Sequence, residues 1–546
     1  MFSAKIGNGL QLFLIGLPLL FACSAMESNS MRDEAGWAGG DTDAAADGDT
    51  DADADGDWEE NDTDPTVPEV ETELNYIVPQ GAGRYVFIAD EVRDSVVIVD
   101  SETLEIRTQE VGSRPTHLVP LHTDAGTAVA VINLNSDEVT VLRMDEDENI
   151  ETVDIPVRPD TNALAPSPDG RFVIAFHDPQ FASISGAPAT DQEISVLDVT
   201  KGKELSVAAA VGMHPWKIIY NEDSTRAFVV TEGGINIVDL ENLSASSRTE
   251  SVSLFESGTY DSQTADIEIV PDGSVALGRI EGSNLLVAAA LDASGDKRQY
   301  TLSSIPTDLD IAEDGTFGTL VMRDLGSVAL FDLPLPEDET QDPFTYVSME
   351  GRQVGLATLS GDGNRILLYT TAASNEMDLR RLTLMDRVEG EWEISSAVLE
   401  RPIDKVATVN GEDGSAETAV VMHKQVATGL DEKPFGYTLV TLPGLMTKLQ
   451  QVSTAPGQLL LTPDGANGFL LLPSSNAVDK MDLDSLIVNT LPLSSSPTAA
   501  GYAATTDKVF VAQNHAAGRM TFIGVNDDSV KTVTGYNLND EIEVSK

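Results

Sequence analysis

One four-strand pattern, repeated along the chain, limits what this sequence can fold into more than any other feature. Its clearest copy runs from Asn162 to Pro215. An apolar run, Ala163-Leu164-Ala165, meets the turn Ser167-Pro168-Asp169-Gly170, where proline presets φ and glycine admits φ > 0. Phe172-Val173-Ile174-Ala175-Phe176 returns as a second strand. After a polar loop come Ile194 to Asp198, the Lys201-Gly202-Lys203 turn and Leu205 to Ala210. Four short strands joined by turns make an antiparallel meander.

The pattern recurs about ten times, at spacings of roughly 40 to 54 residues, the length of a four-stranded repeat unit. First strands are expected near Tyr76, Thr116, Asn162, Trp216, Ala265, Asp308, Val354, Lys405, Gly457 and Ala499. The turn returns as Pro271-Asp272-Gly273, Glu313-Asp314-Gly315, Gly361-Asp362-Gly363 and Pro463-Asp464-Gly465, and more loosely as Asn221-Glu222-Asp223. A β-sandwich also alternates strands and turns, but it does not repeat one four-strand unit along a chain.

Second strands such as Tyr85 to Asp90 and Val509 to Asn514 resemble the Tyr-Val-Thr-Asn strand of the YVTN-type β-propeller family, and third strands such as Ser95 to Asp100 and Gly234 to Asp239 fit it too. The resemblance covers about residues 74 to 546. It implies an all-β fold, a β-propeller of four-stranded antiparallel blades with about ten repeat units. Ten exceeds the usual four to eight blades, so a single ring of eight to ten is favoured, beside two smaller rings or a ring of eight with two units outside it. Propellers host binding modules, lactonases and redox enzymes alike, so the resemblance names no partner or substrate. It also accommodates 546 residues without one oversized core, because each blade packs mainly on its neighbours.

The chain divides into residues 1–22, 23–73 and 74–546. Lys5 supplies a positive start, Leu10 to Phe21 a short apolar stretch broken by Pro18, and Leu20-Phe21-Ala22-Cys23 its end. The stretch is too short for a spanning helix. It resembles a bacterial lipoprotein signal, with Leu20, Ala22 and Cys23 matching the lipobox and Phe21 bulkier than usual there. That resemblance implies acylation of Cys23 after cleavage and, with Ser24 next, an outer-membrane destination by the enteric sorting rule. The alternative is an ordinary secretory signal. Cys23 is the only cysteine in the chain, so no intramolecular disulfide forms in a compartment where disulfides persist. Several acyl chains anchor a protein without spanning the bilayer.

Residues 24–73 read as a tether. From Asp41 to Asp57 almost every other residue is aspartate and none is large and apolar, so the segment cannot offset the entropy of ordering, and self-repulsion extends it. Asp51, Asp53, Asp55 and Asp57 with Gly56 reproduce the first half of an EF-hand loop, a weak Ca²⁺ site by expectation. The second half fails, since position twelve is Asp62 and flanking amphipathic helices are missing.

With 90 acidic against 33 basic residues the formal net charge is −57. Such a chain repels nucleic-acid phosphate and anionic lipid, leaving cations, basic proteins and neutral glycans as partners. Catalytic signatures are missing: no Gly-x-Ser-x-Gly, His-Glu-x-x-His, Walker Lys-Ser/Thr or dinucleotide fingerprint, and a lone cysteine excludes covalent c-type haem. Histidines 117, 122, 177, 214, 423 and 515 are dispersed, with His117, His122 and His214 near first strands and so candidates to meet at one end of a channel. The longest departures from the repeat lie at 178–191 and 424–434, where a binding surface is expected.

Aligning the units on the first strands places His117, Lys217, Asp266, Asp308, Asp404 and Gln458 at comparable depth, a ring around the axis. Three carboxylates there would raise one another's pKa unless Lys217, His117 or a bound cation compensates. The expectation is a cation or polar-ligand site with Asp266, Asp308 and Asp404 as its acids, against a water-filled channel. The functional expectation is an envelope lipoprotein whose propeller is a non-enzymatic platform for a protein or glycan partner, with a lactonase-like hydrolase as the alternative.

Overall fold

Each repeat folds as its turns dictate. In the computed structural model the Ser167-Pro168-Asp169-Gly170 turn closes with Gly170 N–H donating to the Ser167 carbonyl at 2.9 Å. The Ser167 hydroxyl donates to Asp169 at 2.7 Å and accepts from Phe172 N–H at 3.0 Å, so the second strand is launched by the turn's own side chains. Ser360 with Asp362 and Thr462 with Asp464 repeat the arrangement. Gly170, Gly273, Gly315, Gly363 and Gly465 all lie at φ between 65° and 69°, and Ser224 takes the left-handed position at 53° in the looser turn. Glycine is demanded twice over. A Cβ at Gly273 would sit 2.6 Å from the Phe228 ring, and one at Gly465 would sit 2.6 Å from the Asn410 carbonyl oxygen, both on the preceding repeat.

The structure describes residues 79–544 apart from 124–125, 146, 179–191, 245–248, 256–259, 262, 293, 339, 374, 412–413, 427–432, 528 and 537–542. The chain forms ten antiparallel sheets, each taking its four strands in chain order, with a short fifth strand, Glu543–Val544, added to the last. The first strands are Gln80–Ala82, Pro115–Thr123, Ala163–Pro166, Lys217–Tyr220, Ala265–Ile269, Asp308–Ile311, Leu356–Leu359, Ile403–Asn410, Leu459–Leu461 and Pro497–Ala503. Nine agree with the sequence reading within a few residues. Tyr76, expected in the first, lies outside the described residues, and that strand begins at Gln80.

First strands touch from blade 10 through blades 1, 2 and 3 and again from blade 5 to blade 8, which places them innermost. Second and third strands are covered on both faces: every residue of Phe172–Phe176 and Phe317–Met322 is buried. They therefore read as continuous apolar runs rather than alternating ones.

The arrangement of the core settles the ring. Among the described residues the buried apolar side chains sort into ten clusters, each shared by two successive blades. The tenth joins the ends of the chain, packing Phe510, Met520 and Phe522 of blade 10 on Val86, Val97 and Val99 of blade 1. Among the described residues no strand is exchanged across this seam. Polar contacts reinforce it instead: Lys508 Nζ donates to the Ser101 carbonyl at 2.7 Å, and the Ser101 and Thr506 hydroxyls lie 2.6 Å apart. The fold is a single ten-bladed β-propeller, and the two-ring and eight-plus-two arrangements are excluded.

Candidate functional site: the inner ring and the loop-bearing face

An inner strand pairs with its own second strand on one edge only. The other edge faces the neighbouring blade, where the angle between blades prevents a continuous ladder, so its N–H and C=O groups need other partners. The residues expected to line the channel supply them. Asp266 accepts from Leu309 N–H at 2.9 Å, and Asp308, 1% exposed, accepts from Ala357 N–H at 2.5 Å. Lys217 Nζ donates to the Ile267 carbonyl at 3.3 Å. Gln458 does both, donating to Ala500 O at 2.9 Å and accepting from Ala500 N–H at 2.8 Å. His117 hydrogen-bonds the backbone at Leu164. Each contact crosses to the next blade's inner strand, and each residue type matches the group it meets: carboxylate to N–H, ammonium to C=O, amide to both.

Charge compensation within the ring is local. Lys217 pairs with Glu268 at 3.1 Å and Arg279 approaches Asp266 at 3.4 Å. Asp404 lies in a bulge at the head of blade 8's inner strand, where the register shifts between Ile403 and Lys405. The three acids thus belong to three blades, two of them turned onto backbone N–H groups. Among the described residues no three His, Cys, Asp or Glu side chains are grouped to hold a metal ion. Cys23 and the tether acids Asp51, Asp53, Asp55 and Asp57 lie outside the described residues.

Since all blades share one strand order, the heads of the inner strands and the connections from second to third strands lie on one face of the ring, and the glycine turns lie on the other. His117 and His122 sit toward opposite ends of one inner strand, Pro115–Thr123, the first buried and the second exposed, and so do not meet at one mouth. His214 pairs with Glu232. His423 bridges the Pro402 carbonyl at 3.1 Å and the Thr438 hydroxyl at 2.6 Å. Burial holds the His117 and His423 imidazoles down at about 4, so both are neutral near pH 7, and the Arg401 charge contributes at His423. The connections containing 178–191 and 424–434 both belong to the face that carries the inner-strand heads.

Two features escaped the sequence reading. One is a set of cations that staple blade to blade by donating to the carbonyl just past the next blade's third strand: Arg143 to Val199, Arg226 to Leu291, Lys480 to Val525 and Lys508 to Ser101, at 2.6 to 2.9 Å. Their spacing to the acceptor spans two blades, so no local pattern marks them. The other is a cleft of about 420 Å³ between blades 4 and 5, where Arg226 stands among Asp239, Glu241, Glu250 and Asp292.

The fold and the girdle of inner-strand contacts define a ten-bladed β-propeller. No family model matches the chain, and no curated protein does. Among solved structures it is similar to a eukaryotic initiation factor at 12% identity and TM-score 0.47, over 86% of this chain and 96% of that one. It is similar also to the dihydro-heme d1 dehydrogenase NirN at 13% identity and TM-score 0.39, over 70% and 74% of the two chains. A third is a putative 6-phosphogluconolactonase from Bacteroides fragilis, at 13% identity and TM-score 0.31, over 69% and 95%.

Proposed function

We propose that this protein is an exported lipoprotein of the bacterial outer membrane whose propeller is a non-enzymatic binding platform, presenting its loop-bearing face to a protein or glycan partner. One observation carries the reading. The polar ring that would serve chemistry in the channel is engaged in holding blade to blade, while the connections containing 178–191 and 424–434 both join a second strand to a third on the same face. A rigid ring displaying long loops is the arrangement in which recognition residues vary without disturbing the core.

Cys23 carries the lipid in this reading, and residues 24–73 hold the ring away from the bilayer. The repeat units are of the YVTN type. Calcium, where it binds, does so weakly at Asp51, Asp53, Asp55 and Asp57, at about millimolar concentration. Cys23→Ala tests the anchor: the variant is expected in the soluble fraction, and its continued partition into detergent overturns the assignment. Affinity capture with the lipidated protein from its native envelope tests the platform. The partner is expected to be lost when the 178–191 connection is shortened and kept when a glycine-turn loop on the opposite face is altered, and the reverse pattern overturns the reading.

A further inference from the structure

The outermost strand of a blade turns one edge of N–H and C=O groups away from the ring, and such an edge pairs with another chain unless charge, proline or a covering segment blunts it. Among the described residues five outer strands are six residues or longer, and four of them carry such a device. Glu151, Asp154 and Pro156 stand in Ile150–Pro156, Glu391 and Glu393 in Glu391–Val398, Lys448 in Thr447–Val452 and Pro492 in Ile487–Pro492. The fifth, Leu205–Ala210 of blade 3, carries none: it reads Leu-Ser-Val-Ala-Ala-Ala. In a chain of formal charge −57 an uncharged edge of this length is a departure that packing within the blade does not require.

The ladder fixes which groups face out. Val211 N–H donates to the Gln192 carbonyl at 2.8 Å, continuing the register that pairs Ala210 with Glu193. Leu205, Val207 and Ala209 therefore turn their polar groups inward as Val211 does, and Ser206, Ala208 and Ala210 turn theirs out. The Thr249 hydroxyl donates to the Ala210 carbonyl at 2.6 Å, in agreement, and a carbonyl oxygen accepts twice. We infer that this edge is the interface with a second copy of this chain, the two strands running antiparallel about a dyad at Ala208. There Ala208 pairs with its twin and Ser206 with Ala210, so each outward group meets its complement. Leu205, 38% exposed, falls opposite the partly buried Val211 of the copy. Glu204, already paired with Arg143 at 2.9 Å, falls opposite Gly212 of the copy. Charge selects the occupant. Two copies of so acidic a chain repel along most approaches, but here no like charges meet, whereas a basic partner gains nothing from a neutral strand.

The test uses residues 23–546 with Cys23→Ser, which keeps every described residue and carries neither lipid nor thiol. Light scattering over a concentration series is expected to show a dimer. It should strengthen as salt rises from about 0.01 to 0.15 M and the screening length falls from about 30 to 8 Å. Ala208→Pro removes an outward N–H that the blade does not use, and is expected to lower the dimer constant about thirtyfold, the loss of two hydrogen bonds across the dyad. Ala208→Lys, at an exposed position, weakens the dimer by setting like charges face to face. Unchanged melting curves show that both variants fold. Under mild oxidation Ala208→Cys is expected to give a disulfide-linked dimer, its Cα about 5.5 Å from its twin's, whereas Leu205→Cys, about 20 Å from its twin's, is not. A monomer at every concentration overturns the inference, and if amide exchange at Ser206 and Ala208 then slows only when envelope extract is added, the edge belongs to a partner's strand. A dimer that crosslinks as readily at Leu205 as at Ala208, or that survives both substitutions at Ala208, places the interface elsewhere and overturns it too.

Discussion

Acid should withdraw stability at two buried histidines. His117 and His423 are neutral in the folded ring because burial opposes their charged forms, and both are held down at about 4. In the unfolded chain an imidazole titrates near 6.5. Between these values the unfolded state binds more protons than the folded one, so stability falls as pH falls. The contribution is complete above about pH 6.5 and shrinks through the window down to about 4. At pH 5 the unfolded imidazole is almost fully protonated and the folded one scarcely so, which costs about 2 kcal/mol per histidine and about 4 for both. Replacing both by Gln keeps an N–H donor for the carbonyls at Leu164 and Pro402 and removes the titration. Urea unfolding of parent and variant at pH 7 and pH 5 gives a difference of differences, in which any constant effect of the substitutions cancels. The parent is expected to lose about 4 kcal/mol more than the variant over that interval. A variant whose stability falls as steeply as the parent's refutes the reasoning.

Asp308→Ala should destabilise by about 1 to 3 kcal/mol, since it strands the Ala357 N–H, while Asp308→Asn, which still accepts, should cost less. Equal losses in urea denaturation would show that charge rather than the cross-blade bond matters there. Gly273→Ala and Gly202→Ala both force alanine to positive φ, near 69° and 79°, but only the first meets a neighbour, at 2.6 Å from Phe228. Thermal melts should show about 1 kcal/mol lost at Gly202, and clearly more at Gly273, where overpacking adds to the backbone term.

The turns were legible because their chemistry is local. Ser167, Asp169 and Gly170 lie within four residues and bond one another, so the fragment dictates its shape wherever it stands. Strands whose two faces are both covered were legible for a related reason, as unbroken apolar runs such as Phe172 to Phe176. The inner ring was half legible. His117, Lys217, Asp266, Asp308 and Gln458 were placed together from the repeat register, yet their use as cross-blade bonds depends on which backbone groups of the next inner strand are left unpaired, and that is set by the angle between blades. The expected meeting of His117 with His122 failed on strand length, because Pro115–Thr123 is among the longest inner strands and carries the two toward opposite faces.

The sequence by itself determined the unit, a four-stranded meander closed by a glycine turn, and how often it recurs, because hydrogen bonds and side-chain alternation within some fifty residues decide both. Only the tertiary structure decided that ten units close one ring. Closure depends on the small rotation between successive blades, summed around the circle, and that rotation comes from the packing of pairs such as Phe510 and Phe522 on Val86 and Val97, residues more than 400 positions apart in the chain.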